Sequence, residues 1–467
     1  MLSLTSSCAH AYILNRSDIA VKTINFFIFS ENLATKVLKI AEKAVSLPKN
    51  YKSMKHFLIS ITLLLLLTAC HKDDDNNTKP TTARRTVIVF MSADNSLSNY
   101  NFPGSDLQEL VNGSYNTLSS SDRLIIFVDR ISDKEKPFIA RITGNYEHPV
   151  DTLYKYSEDI YVSDPNNFTD VLSRIMKLSP ANEYGLVLWG HASGWCFEKD
   201  TRPSAAPRRA YGVDNGNNAN YGNKGLWLNI PDMRTCFEQL GVKWKFIFAD
   251  CCNMMGAEVA YELRNCADYL IGSPAEIPGN GAPYNNIVKY LFSQSDNFYD
   301  GIIDEYANAY PSSLPLSAIR LSEMDSLAAA TKAVMPAIAE HLKQGDETAT
   351  KGIIYYYSPG GRNDNINKSM YDMNDMIRTA LQENKQAYET WHTAFLKAVP
   401  KRITSSWWET NASNTVNFID FTVTDDKQGC VSMFFPLDKY DSSKCIYSYN
   451  TDIQKMQWYQ AVTRKTD

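Results

Sequence analysis

Short apolar runs rich in Val, Ile and Phe recur along the chain, separated by stretches in which apolar residues return every three or four positions. The run Thr86 to Met91 (TVIVFM), closed by Asp94-Asn95, predicts a buried strand followed by a turn. DLQELVN predicts the start of a helix. Leu124 to Val128, within DRLIIFVDR, predicts a second strand, and PFIARIT and TLYKY predict edge or hairpin strands. NFTDVLSRIMKLSP predicts a helix with Asn167 or Thr169 near its start and Pro180 beyond its end. Leu186 to Trp189 predicts a further strand with His191 just past it. IPDMRTCFEQLGV predicts a helix ending at Gly241. Phe246 to Ala249 predicts a strand that carries Asp250, Cys251 and Cys252 past its end, and EVAYELRNCADYLIGS a helix and then a strand.

Strands that alternate with helices imply an α/β fold with a mostly parallel sheet covered on both faces. Ligands of such sheets bind beyond the carboxyl ends of the strands, where His191 and Cys252 both fall. Residues 199–225 are rich in Gly, Asn, Pro and Arg and predict a long loop of the kind that is functional or disordered. Beyond residue 300, EMDSLAAATKAVMPAIAEHLKQ and SMYDMNDMIRTALQENKQAYETWHTAFLKAV read as helical and GCVSMFFP as a strand, a C-terminal helical and strand extension packed on the body. The expected division is therefore a core over residues 85–320 and a C-terminal part over 321–467.

The amino-terminal region follows a different pattern. Residues 54–70, MKHFLISITLLLLLTAC, join a short positive start to an apolar stretch of about a dozen residues, short of the ~20 that a spanning helix needs. Leu67-Thr68-Ala69-Cys70 resembles a bacterial lipobox, which implies a signal peptide over 54–69 and acylation of Cys70 as the first mature residue. The polar run HKDDDNNTKPTTARR has nothing to bury and reads as a tether over 70–84. Cys70 followed by Lys72 and three Asp residues resembles a signal that sends lipoproteins to the outer surface. The expectation is a lipid anchor on the bacterial outer membrane, with the cell surface favoured over the periplasmic face. Residues 1–53 then have no role and read as upstream sequence from a start codon assigned too early.

Composition narrows the class. The 467 residues are 44% hydrophobic and 12% aromatic with a formal net charge of -5, which suits a globular chain with a large core. No basic stripe with interleaved aromatics is present, so nucleic acid is not an expected partner, and the membrane is reached only through the anchor. Of nine cysteines, Cys8 and Cys70 belong to the prefix and the anchor, which leaves an odd seven and at least one thiol unpaired within the chain. Spacing alone does not fix a disulfide, although Cys430 with Cys445 is one candidate.

A histidine at the end of an apolar strand is most often a hydrogen-bonded structural residue, and a free cysteine most often a small buried one. Paired, the two residue types support nucleophilic chemistry, because a thiolate forms readily beside a histidine or at a helix N-terminus. Several segments then resemble the clostripain family of cysteine peptidases, relatives of caspases, gingipains and legumain. TVIVFMSADNSL is similar to its opening strand and Ala-Asp-Asn turn, LVLWGHASGW to its histidine strand, and FADCCNMMGAEVAYEL to its cysteine segment. SPAEIPGNGAPY and CVSMFFP resemble its following loop and a late strand. Glu258 stands six residues beyond the nucleophile in that pattern, which selects Cys252 over Cys251.

The resemblance implies a caspase-like fold, a mostly parallel sheet sandwiched by helices, and a cysteine endopeptidase with Cys252 as nucleophile and His191 as base. It implies an oxyanion site built from the backbone N–H groups of Cys252 and Ala192, and Asp250 in the pocket for a substrate Arg or Lys. Asp250 as a helix N-cap is the plain structural alternative. Ala192 stands where Gly is frequent, so a left-handed turn there would be strained. Self-cleavage in the loop is implied after Lys199, Arg208 or Arg209. No cofactor is required, and calcium, which some relatives need, has no recognisable binding loop here. The competing function is a catalytically inactive, peptidase-like surface lipoprotein that binds protein or glycan.

Overall fold

The computed structural model describes residues 81–131, 135–197, 210–216, 225–357, 368–408, 421–441, 443 and 449–464. The signal segment, Cys70, Lys199, Arg208, Arg209 and Cys445 lie outside them. Nine strands build the main sheet: β1 (Ala83–Ala93), β2 (Asp122–Arg130), β3 (Phe138–Ile142), β4 (Val150–Lys155), β5 (Ala181–Gly190), β8 (Phe246–Asp250), β9 (Tyr269–Gly272), β10 (Leu316–Arg320) and β13 (Lys401–Ile403). Their order is β13-β10-β9-β8-β5-β1-β2-β3-β4. The five central strands, β9-β8-β5-β1-β2, run parallel, and antiparallel pairs extend both edges. Two smaller sheets pair β6 (Tyr211–Asp214) with β7 (Leu226–Leu228), and β11 (Tyr355–Tyr357), β12 (Ser369–Asp372) and β14 (Ser432–Met433) with one another.

Alternation along the central strands divides the apolar residues between two cores, which is why these strands read as continuous hydrophobic runs. Ile88, Phe90, Leu186, Leu188 and Ile247 face one core. Val87, Val89, Val187, Trp189, Phe246 and Phe248 face the other. The first core is covered by α2 (Pro165–Leu178), α3 (Ile230–Leu240), α4 (Ala257–Glu262) and α7 (Met324–Leu342). The second is covered by α1 (Phe102–Ser114), α5 (Tyr284–Leu291) and α6 (Phe298–Ala309). The mixed α/β sandwich expected from the sequence is therefore present. Among the described residues no helix is long and apolar enough to cross a membrane.

Three expectations need correction. α2 begins earlier than expected, because Asp164 caps it by accepting from the N–H groups of Asn166 and Asn167 and Pro165 occupies the first turn. The loop over 199–225 contains β6, whose four residues are all buried; its Gly and Asn neighbours concealed that strand. SMYD is β12 rather than helix. Asp372 ends the strand and caps α9 (Met373–Ala380) by accepting from Asp375 N, and α10 (Lys385–Ala398) follows; α8 (Asp346–Ala349) is a single turn before β11.

Candidate active site

β5 and β8 are parallel neighbours with Trp189 opposite Asp250, so the residues that follow them leave the same end of the sheet together. His191 comes one residue after β5 and Cys252 two residues after β8, and both line one cavity of about 410 Å³. Gly190 lets β5 pass closely over β1: its φ is 147°, and a Cβ there would stand 2.8 Å from the Ser92 carbonyl oxygen. The His191 carbonyl accepts from Gly212 N at 2.8 Å, and Ser96 Oγ lies 3.0 Å from His191 Nε2.

The cysteine pair is separated by face. Cys251 points into the first core, fully buried, and burial pushes its thiol well above the ordinary range, with the neighbouring Cys252 and Asp250 adding to the shift. Cys252 is half-buried on the cavity, and its Sγ accepts from Ile277 N at 3.4 Å. α4 begins only at Ala257 with Gly256 at its cap, so neither Cys252 nor Asp250 sits at a helix N-terminus. The amide of Ile277, in the loop after β9, is a backbone donor to this sulfur.

Alternation sends Asp250 to the same face as Phe246 and Phe248, towards α5 and α6. There Oδ2 accepts from Tyr284 Oη at 2.6 Å and from Ala282 N at 3.1 Å, and Oδ1 accepts from Tyr306 Oη at 2.8 Å. Burial raises its pKa while these donors pull it back. A second carboxylate is present that the sequence reading missed. Asp106 of α1 accepts from Trp189 Nε1 at 2.6 Å and stands so close to Asp250 that a Cβ on Gly281 would meet both, at 3.2 and 2.8 Å. Burial, and then the charge of Asp250, push Asp106 up to about 8. Glu109, one turn along α1, adds further negative charge. Asp106 occupies the helix face that Leu110 also uses, and an acidic residue on an apolar face was the available signal.

Of the amides just after His191, that of Ser193 is committed to the Ala210 carbonyl at 2.9 Å, while Ala192 forms a bridge with Tyr211. Ala192 carries no positive φ; the left-handed residues beside it are Gly190 and Gly194, so replacement of Gly by Ala at 192 brings no strain. Cys430 is a buried thiol donating to the Ile403 carbonyl at 3.2 Å, and Cys445, its candidate disulfide partner, lies outside the described residues. Among the described residues no group of three or more His, Cys, Asp or Glu is arranged to hold a metal ion.

A family model described as the clostripain family matches residues 89–467. Among solved structures, a secreted C11 cysteine protease from Bacteroides thetaiotaomicron, in complex with an irreversible peptide inhibitor, is 27% identical with a TM-score of 0.64. The match covers 82% of this chain and 99% of that one. An inactive zymogen C11 protease from Parabacteroides distasonis is 23% identical with a TM-score of 0.63, over 82% of this chain and 99% of that one; it speaks for the fold. No curated protein matches.

Proposed function

The chain belongs to the clostripain family and is a cysteine peptidase, and from that premise we propose that Cys252 and His191 form its catalytic dyad and that it cleaves after Arg or Lys. The observation that carries this reading is the cavity lined by His191, Cys252 and the buried carboxylate of Asp250, with Asp106 close by on the other side of Gly281. His191 takes the thiol proton, and the thiolate attacks the scissile carbonyl. The resulting oxyanion is held by the backbone N–H groups of Cys252 and Ala192. His191 then returns the proton to the departing amine, and water hydrolyses the thioester. Asp250 receives the substrate cation with Asp106 behind it, since paired carboxylates out of bulk water favour a guanidinium or ammonium.

Self-cleavage after Lys199, Arg208 or Arg209 is part of the proposal. Ala210 is 1% exposed and its carbonyl accepts from Ser193, so cutting after Arg209 requires that pairing to open, whereas cutting after Lys199 leaves it in place. The test is hydrolysis of fluorogenic peptides with Arg, Lys, Ala or Asp at P1, under reducing conditions, with calcium present and omitted. Cleavage after Arg or Lys, lost in Cys252→Ala and kept in Cys251→Ala, is expected. In gels, wild-type protein is expected to appear as two chains and Cys252→Ala as one. Full activity in Cys252→Ala would sink the dyad, and an active enzyme that stays one chain would sink self-cleavage.

The proposal places the enzyme on the outer membrane through acylated Cys70, at the cell surface in preference to the periplasmic face. Incorporation of labelled palmitate into the wild type, and its loss in Cys70→Ala, is the expected outcome; equal labelling of both proteins would reject the anchor.

A further inference from the structure

We propose that Ser96 is a positioning residue for His191: its hydroxyl accepts the Nε2–H, fixes the ring tautomer and leaves proton exchange with Cys252 to Nδ1. The proposal rests on the dyad reading above. Its geometry stands apart from the sulfur: Ser96 Oγ lies 3.0 Å from His191 Nε2 and lines the same cavity. The two ring nitrogens of a neutral imidazole are distinct, and the hydrogen bond made by one decides which of them carries the proton. With Nε2 acting as donor, Nδ1 keeps its lone pair and receives the thiol proton. The imidazolium that forms then has both N–H groups, and Nδ1 passes its proton on to the leaving amine while the Ser96 bond persists.

The backbone around Ser96 is held for such a role. Asn95 is fully buried and clamps the turn from three directions. Its Nδ2 donates to the Ser92 carbonyl at 3.0 Å and to the Val213 carbonyl at 2.9 Å, and its Oδ1 accepts from Leu97 N at 3.1 Å. Ser98 Oγ donates back to the Ala93 carbonyl at 2.6 Å. The Val213 contact links the turn to β6, whose Gly212 N–H in turn holds the His191 carbonyl. Ring and hydroxyl are thus fixed from both sides by one connected frame. A reactive group placed through an orienting partner on rigid backbone follows the pattern of nucleophile, base and orienting third group.

Ser96→Ala, Ser96→Thr and His191→Ala would be compared with wild type on an Arg-P1 peptide across pH, alongside alkylation of the active-site thiol by iodoacetamide. Ser96→Ala is expected to lower kcat about tenfold, a part of the rate that a positioned base supplies, with KM unchanged. The pH midpoint of thiol alkylation is expected to move upward, and Ser96→Thr to restore both. Wild-type kcat in Ser96→Ala, or a loss confined to KM, overturns the positioning role while the dyad stands. Equal loss of kcat in Ser96→Ala and Ser96→Thr also overturns it, because the hydroxyl is then not the operative group. Undiminished activity in His191→Ala would instead remove the dyad reading beneath it.

Discussion

Asp106 and Asp250, on one side of the β5 and β8 ends, can be set against Asp94, Asp129 and Asp214, at the carboxyl ends of β1, β2 and β6. Both groups are buried. In the first, each carboxylate meets hydrogen-bond donors: an indole on Asp106, and two phenols and an amide on Asp250. In the second, Asp214 accepts from Val162 N and Gly216 N, but both oxygens of Asp129 and Oδ1 of Asp94 are left without a donor. Burial first, and then the other carboxylates, push Asp94 up to about 8 and Asp129 well above its ordinary value, and burial takes Asp214 to about 7. Donors pull a buried carboxylate back towards its charged form, and Asp250 has three of them, but Asp106 with its one indole still rises to about 8, as Asp94 does: burial outweighs a single donor.

The sharpest way to break this contrast is Asp250→Asn, expected to reduce kcat/KM for Arg-P1 peptides by about a hundredfold or more and to spare thiol alkylation. Undiminished cleavage after Arg would mean that the first group is structural. Asp106→Asn is expected to have the smaller effect, about tenfold, and to carry a pH signature. An incoming cation binds the ionised form, so kcat/KM of the wild type rises as pH climbs towards about 8, where Asp106 loses its proton. The variant should lack that rise; an identical pH profile would separate Asp106 from recognition.

The second group predicts a stability effect. A carboxyl that folding drives upward takes up a proton on folding, so stability falls as pH rises from the unfolded value near 4 through the folded value, and the deficit is complete above it. With Asp94 at about 8, that window runs from roughly pH 4 to 8. Asp129→Asn supplies an amide donor among these oxygens and is expected to raise Tm by a few degrees, about 1 kcal/mol, with the gain growing from pH 5 to pH 9. A pH-independent or negative change in Tm would show that the group is satisfied in some other way.

Much of this was legible in the sequence, for identifiable reasons. The central strands are buried on both faces, so their β-branched runs stand out without any pairing information. The same strands end just before His191 and at Asp250, so the pattern also foretold that these residues leave one end of the sheet together. Asp106 was not legible, because its meaning comes from Trp189, 83 positions away, and from Asp250 beyond it. The Tyr284 and Tyr306 hydroxyls were hidden likewise, since each sits on a helix whose apolar pattern explains a tyrosine without reference to a site. Ser96 lay inside a turn whose Asp and Asn already accounted for the bend.

The turn after β8 is tied to the far end of the chain. Ser432 N donates to the Met255 carbonyl at 2.9 Å, and Phe434 N donates to Glu258 Oε1 at 2.7 Å, across 176 positions. During synthesis, the segment that carries Cys252 leaves the ribosome long before the strand that completes its surroundings exists. A nascent chain therefore has its thiol but not its finished frame, and the molecule acquires its working geometry only after the strand around Ser432 has been made.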